Sequence, residues 1–229
     1  MKNQIIIDVI SDVVCPWCYI GKRRLEKGIK HTQYSDNVQV KYHPFQLDPS
    51  VPTEGVDFQT YMENRFGASF VSKFRQVEQA AVGEGLDFDF EQLPKAINTF
   101  ALHRILTVAE ADGIQSDTKE ALMKAYFVDR QDLTQKNILI DLMQTLGWSA
   151  EKTKEILDSD IAADAVKEEM NYYRQLGVTG VPFFIINQKY AISGAQPAEV
   201  FAEIIEKVAK ETNIESIVGE VCEVGGENC

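Results

Sequence analysis

The chain has 229 residues, 45% of them hydrophobic and 25% charged, and a net charge of −12. That length and balance fit an ordinary globular chain of one or two domains. The acidic surface argues against nucleic acid or membrane surfaces as partners, and no apolar run is long enough to span a bilayer.

The first element is a buried strand over residues 4–10, built on Ile5-Ile6-Ile7-Asp8-Val9-Ile10. Asp8 interrupts this run before it reaches the length of a secretory leader, so a cytoplasmic chain is expected. A helix follows from about Pro16 to Ile29. Residues 38–47 alternate apolar and polar at Val38, Val40 and Tyr42 and read as a second strand. Two prolines make residues 47–52 a loop.

From about Asp57 to Leu176 the pattern is helical, with no convincing strand. Residues 97–112 carry apolar positions at helical spacing and stop at Gly113. Asp117 and Glu120 are spaced as a capping box for the next helix. Residues 137–146 end at Gly147, Ser149 suits the cap of a short helix, and residues 160–176 end at Gly177. Strands return at 181–186 and 190–193, flanking the short connection Asn187-Gln188-Lys189. Residues 197–210 form a last amphipathic helix with Pro197 in its first turn. From about Asn213 onward the chain is rich in Gly and Glu and reads as a tail.

Four cysteines are few for a disulfide scaffold, and a close pair points to redox or metal chemistry. Cys15-Pro16-Trp17-Cys18 directly follows the first strand and opens the first helix. Pro16 fits the first helical position, which places Cys15 at the positive end of the helix dipole, where a thiolate is favoured. The thiolate is the attacking species in disulfide exchange. Cys15 is therefore expected as the exposed nucleophile, and Cys18, one turn on, as the resolving thiol. A zinc site needs about four ligands, and Cys222, Cys229 and the three histidines offer no second pair at ligand spacing. No metal is expected.

Gly177-Val178-Thr179-Gly180-Val181-Pro182 leads into the later strand. A cis Val181–Pro182 bond would turn the Val181 backbone outward, free to meet an extended substrate. From the residues alone, a trans proline at a strand edge is the commoner state.

CPWC after a first strand, a long helical insertion and Thr179-Gly180-Val181-Pro182-Phe183-Phe184 together resemble the DsbA-like branch of the thioredoxin superfamily. The resemblance is closest to its FrnE-like cytoplasmic subfamily. It extends to residues 43–47 (HPFQL), Asn98-Thr99 with Ala101 and His103, Tyr126-Phe127 and residues 193–196 (SGAQ), and it covers about residues 4–210. It implies an α/β thioredoxin-like fold with an inserted all-α-helical domain: residues 1–52 and 177–212 form the discontinuous thioredoxin-like domain, 53–176 the insertion and 213–229 the tail. It also implies dithiol–disulfide oxidoreductase or isomerase activity, with Cys15 as nucleophile, Cys18 as resolving cysteine and Pro182 as a cis-proline facing them. The substrates are protein or low-molecular-weight disulfides and thiols. No cofactor is implied beyond glutathione as a thiol co-substrate, and the chain is expected as a monomer or homodimer. Periplasmic DsbA has a His where this chain has Trp17, which offers only its ring and one N–H donor, so the resemblance does not imply a pair as oxidising as that of DsbA. One alternative is a glutathione-dependent enzyme of the kappa-class transferase or 2-hydroxychromene-2-carboxylate isomerase type, which usually has Ser at the attacking position. Another is a redox-sensing binding module or holdase.

Other candidates carry weaker signals. Cys222 and Cys229 lie in the tail, which extended from Asn213 to Cys222 reaches about 30 Å, far enough for an auxiliary redox role. Trp17 is expected to be exposed beside the thiol and, with Val181 and Pro182, to contact substrate. Asp12 is expected to cap the turn or helix, or else to act on the resolving thiol. Lys22 and Arg23 are expected to be solvated. His43 and His103 are expected in hydrogen-bonding or core roles. Phe66, Phe70, Phe74, Tyr172 and Tyr173 are expected in the core of the insertion, some of them lining a groove above Cys15.

Overall fold

The computed structural model describes residues 4–67 and 70–214. Strand β1 (Ile5–Ser11) leads into helix α1 (Pro16–Lys30) and strand β2 (Val38–Pro44). Helices α2 (Phe58–Phe66), α3 (Phe70–Val82), α4 (Phe100–Ala111), α5 (Gln115–Phe127), α6 (Lys136–Thr145), α7 (Ala150–Asp158) and α8 (Ala163–Gln175) follow. Then come the hairpin β5 (Phe183–Ile186) and β6 (Tyr190–Ser193) and helix α9 (Ala198–Glu211). The sheet order is β2-β1-β5-β6. β1 runs parallel to β2, with Ile7 opposite Val40, and antiparallel to β5, with Val9 opposite Phe184. This is the α/β arrangement with a helical insertion expected from the sequence.

Alternation along β1 explains the layering. Ile5, Ile7 and Val9 join Phe184, Phe201 and Ile205 in one core on the α1/α9 side. Ile10 points the other way, toward Tyr173 and Val178. Helices α1 and α9 pack closely because Gly28 carries no side chain: a Cβ there would lie 2.6 Å from the Ala198 carbonyl oxygen. The open edge of β2 is covered by a side chain that imitates a strand. The Gln115 amide donates to the Tyr42 carbonyl (2.8 Å) and accepts from the Tyr42 N–H (2.9 Å), so α5 is pinned to the sheet. A larger apolar core runs from the first turn of α1 into the helical segment, joining Cys15, Cys18 and Tyr19 to Leu122, Tyr126 and Phe127.

Several elements differ from expectation. The helical region contains a two-stranded ribbon, β3 (Val56–Asp57) with β4 (Lys95–Ala96); two residues per strand are too few to show alternation. Strand β2 stops at Pro44 rather than 47, because the next backbone groups are spent elsewhere: the Phe45 carbonyl on His103 and the Leu47 N–H on Asp12. Helix α4 starts at Phe100, not at 97. Helix α5 starts at Gln115, with Ile114 at the N-cap position, so Asp117 sits in the first turn instead of forming a capping box. Helix α8 starts at Ala163, after a left-handed Ala162. Arg104 gathers the carbonyls of Ile156, Ser159 and Ile161 there, which holds residues 159–162 out of helix. Pro197 is the N-cap of α9 rather than a first-turn residue.

Ile214 is buried in the sheet-side core, its N–H bonded to the Ala209 carbonyl, so the chain stays docked through the first residues of the expected tail. Cys222 and Cys229 lie outside the described residues. Among the described residues, no helix is long and apolar enough to cross a membrane.

Candidate active site

The site begins where β1 hands the chain to α1. The Cys15 N–H bonds to the Asp12 carbonyl (3.3 Å), closing a turn after the strand. Cys15 is the N-cap, in extended conformation, and its side chain makes no capping bond. Its carbonyl accepts from the N–H groups of Cys18 (3.0 Å) and Tyr19 (3.4 Å), and Pro16 starts the helix. The first turn of α1 contains no acidic residue, so the positive end of the dipole is free to act on the Cys15 sulfur.

Both cysteines are free thiols. Cys15 is 4% exposed, a correction to the expected exposed thiol: the helical segment folds over it. Its Sγ donates to the Val181 carbonyl at 3.6 Å, and the Val181–Pro182 bond is cis. The two elements singled out in the sequence therefore meet, though they lie more than 160 residues apart. Cys18 is also buried. Burial pushes its thiol well above the usual range, contact with Cys15 adds to this, and the charge of Lys119 opposes it. Trp17 is 39% exposed at the edge of the site, as expected.

Beneath the pair lies a buried polar group. Asp12 and His103 are almost fully buried. Asp12 accepts from His103 Nε2 (3.2 Å) and from the Leu47 N–H (2.8 Å). Nε2 also approaches the Phe45 carbonyl (2.9 Å); both partners are acceptors, so this nitrogen carries a hydrogen. Burial pushes the Asp12 carboxyl up, but these bonds and the charge of Lys119 outweigh it and hold Asp12 below the usual carboxylate range. Asp12 therefore ties the segment leaving β2 to the first turn of α4 and does not cap α1 through its side chain. Lys119, 1% exposed on α5, has its amine lowered by burial, against the pull of Cys18, Asp12 and Cys15. The sequence reading missed Lys119. Its signal was positional: it sits on the stripe 115/118/119/122/123/126 that α5 buries.

Lys22 and Arg23 also depart from expectation. Lys22 is 4% exposed and Arg23 is half-buried. Both pair with Glu120 on α5, Lys22 at 2.7 Å, and the Tyr19 hydroxyl donates to the same carboxylate at 2.6 Å. Burial raises the Glu120 carboxyl, yet these donors hold it at about 2. The cluster clamps the CPWC helix to the helical segment. His43 bridges Asp8 (2.9 Å) and Glu169 (2.6 Å), and with His103 it takes the hydrogen-bonding role expected.

Of the aromatic residues expected in the core, Phe70 and Tyr173 are buried. Phe66 is 42% exposed and Tyr172 56%, a correction to their expected burial. Phe66 and Phe74 nonetheless join Phe58, Phe90 and Tyr126 around an apolar cavity of about 350 Å³, with Cys15, Trp17 and Val181 in its wall.

A Cys-X-X-Cys at the start of the first helix, facing a cis-proline loop on a β2-β1-β5-β6 sheet, defines a thioredoxin-fold thiol protein. The chain belongs to the DSBA-like thioredoxin domain family, whose model matches residues 6–206. A crystal structure of a probable DsbA oxidoreductase from Streptomyces coelicolor is 31% identical, with a TM-score of 0.85, covering 97% of this chain and 98% of that one. The uncharacterized protein YwbO of Bacillus subtilis is 27% identical over 207 residues, 89% of this chain and 97% of that protein. The cytosolic disulfide reductase DsbM from Pseudomonas aeruginosa, solved with GSH, is 16% identical with a TM-score of 0.65, covering 90% of this chain and 99% of that one, and shares the fold.

Proposed function

We propose that the protein is a dithiol–disulfide oxidoreductase or isomerase in which Cys15 attacks a substrate disulfide and Cys18 resolves the mixed disulfide. The observation that carries this reading is the Cys15 sulfur at an unneutralised helix N-terminus, in the wall of a cavity and in contact with Cys18. In the first step a Cys15–substrate disulfide forms and one substrate thiolate leaves. In the second, Cys18 loses its proton and attacks the Cys15 sulfur, the Cys15–Cys18 disulfide forms, and the second substrate thiol leaves. The raised Cys18 pKa keeps that thiol protonated while Cys15 makes the first attack.

Val181, Pro182 and Trp17 are the substrate-facing groups of this reading. Glutathione fits as the thiol that re-reduces the protein, in line with the GSH-bound relative, and a cytoplasmic setting suits such a thiol. Cys222 and Cys229 are assigned an auxiliary exchange role. The test is reduction of hydroxyethyl disulfide or insulin by the wild type with a dithiol reductant. Cys15→Ser abolishes turnover, and wild-type-like turnover in that variant overturns the assignment. Cys18→Ser stalls turnover at the mixed disulfide, whereas a glutathione-dependent transferase would not need Cys18.

A further inference from the structure

We infer that the cavity beside Cys15 is a binding site for small-molecule disulfides that carry a flat apolar group and an acidic group. The inference rests on the disulfide-exchange reading above and narrows its substrate class.

Three features of the cavity lead there. Its volume of about 350 Å³ falls within the range of small-molecule sites, about 300–1,000 Å³. Its walls are aromatic, formed by Phe58, Phe66, Phe74, Phe90 and Tyr126, and such rings receive a flat apolar group by stacking and edge contacts. Its charged lining residues are two of each sign, Asp12, Asp48, Arg65 and Lys73, and both carboxylates are already engaged. Asp12 is bound to His103 and Asp48 to Arg65. Lys73 is exposed and has no acidic partner among the described residues, so the rim favours an anion.

The reacting sulfur sits in the same wall. Cys15 is 4% exposed, so a disulfide must come into the recess to meet it. A small molecule can enter. A disulfide held in a protein brings flanking peptide groups with it, and the apolar walls offer them few hydrogen-bond partners, an unfavourable exchange.

The exchange balances within the pair and its substrate. Cys15 thiolate attacks an aryl disulfide, the Cys15–aryl disulfide forms and one aryl thiolate leaves. Cys18 gives up its proton and attacks the Cys15 sulfur, and the second aryl thiolate leaves. The substrate gains two electrons, and the protein is left as the Cys15–Cys18 disulfide.

The experiment is a single-turnover stopped-flow comparison on the full-length reduced protein. The probes are dithiobis(nitrobenzoate), which is aromatic and acidic, dithiodipyridine, which is aromatic and neutral, and the small polar hydroxyethyl disulfide. A cysteine-containing peptide disulfide flanked by Phe is a fourth. Each rate is divided by that of the same protein unfolded in guanidinium, which removes intrinsic reactivity. The proposal expects saturation kinetics with dithiobis(nitrobenzoate) and a normalised preference over hydroxyethyl disulfide of about tenfold or more, the scale of discrimination an apolar pocket gives. Val77→Trp, and independently Met62→Trp at a half-buried position, fill the cavity and bring that preference to parity. Lys73→Glu lowers the rate with the acidic probe relative to the neutral one. Equal normalised rates for all probes overturn the proposal and leave the exchange chemistry standing. A preference for the peptide alone overturns it in favour of a protein substrate. Absence of exchange with every probe overturns the underlying reading instead.

Discussion

Replacing His103 by Leu tests how the site is held. The imidazole and the Asp12 carboxylate are each about 1% exposed at their side chains, so surface screening does not weaken their interaction. The variant leaves Asp12 with the Leu47 N–H and the charge of Lys119. Leaving a buried carboxylate short of one donor costs about 1–3 kcal/mol, the upper end for a charged acceptor, which places this case at about 3 kcal/mol. The sign with pH follows from the carboxyl. In the wild type its pKa is depressed, so its stabilisation is present above the unfolded value near 3.9 and is lost as pH falls through the folded one. In the variant, burial dominates and the pKa rises. The destabilisation is therefore largest at neutral pH and shrinks toward acid, where Asp12 becomes neutral. Urea unfolding followed by tryptophan fluorescence at neutral pH and near pH 5 measures both quantities. Adding Asp12→Asn to His103→Leu should recover part of the loss. A penalty below about 1 kcal/mol at neutral pH, or one unchanged toward acid, refutes the reasoning, since surface-like pairs have that size.

Lys119→Met removes the charge that lowers the Cys18 thiol. It should lengthen the lifetime of a Cys15–glutathione mixed disulfide by about three- to fourfold for one unit of further pKa rise, since the thiolate fraction falls about tenfold while its nucleophilicity rises, read by acid quench and mass spectrometry; an unchanged lifetime contradicts it. His43 is desolvated, yet Asp8 and Glu169 raise its pKa to about 9. Its contribution is fully present below the unfolded value near 6.5 and is lost as pH rises toward 9, so His43→Gln should flatten the stability profile across that window in urea titrations. Gly28→Ala drives a methyl group against the Ala198 carbonyl and the Phe201 side chain and should destabilise by about 1–3 kcal/mol, measured from the denaturation midpoint.

The sheet was legible because it is written in short β-branched and aromatic runs: IIIDVI, VQVKY, FFII. Those runs appear before and after a stretch of helical spacing, and the CPWC at a strand–helix junction marked the chemistry. The burial of Cys15 was not legible, because it depends on helices distant in sequence closing over the start of α1. The same holds for Lys22 and Arg23, which look like surface cations until α5 brings Glu120 against them. Asp12 and His103 were each noted, but nothing in their spacing reveals that they meet. Lys119 was hidden by its type, since lysine on a helix is read as solvated even where the periodicity places it inward. The ribbon β3/β4 was too short to register.

The most direct test of the central claim is a redox titration of the full-length protein in glutathione buffers, with peptide mapping by mass spectrometry at each poise. The account predicts one two-electron transition in which Cys15 and Cys18 become linked to each other, and its absence in Cys15→Ser and Cys18→Ser. Failure of the two sulfurs to join under oxidising buffer, or pairing of Cys15 with Cys222 or Cys229 in place of Cys18, would contradict it.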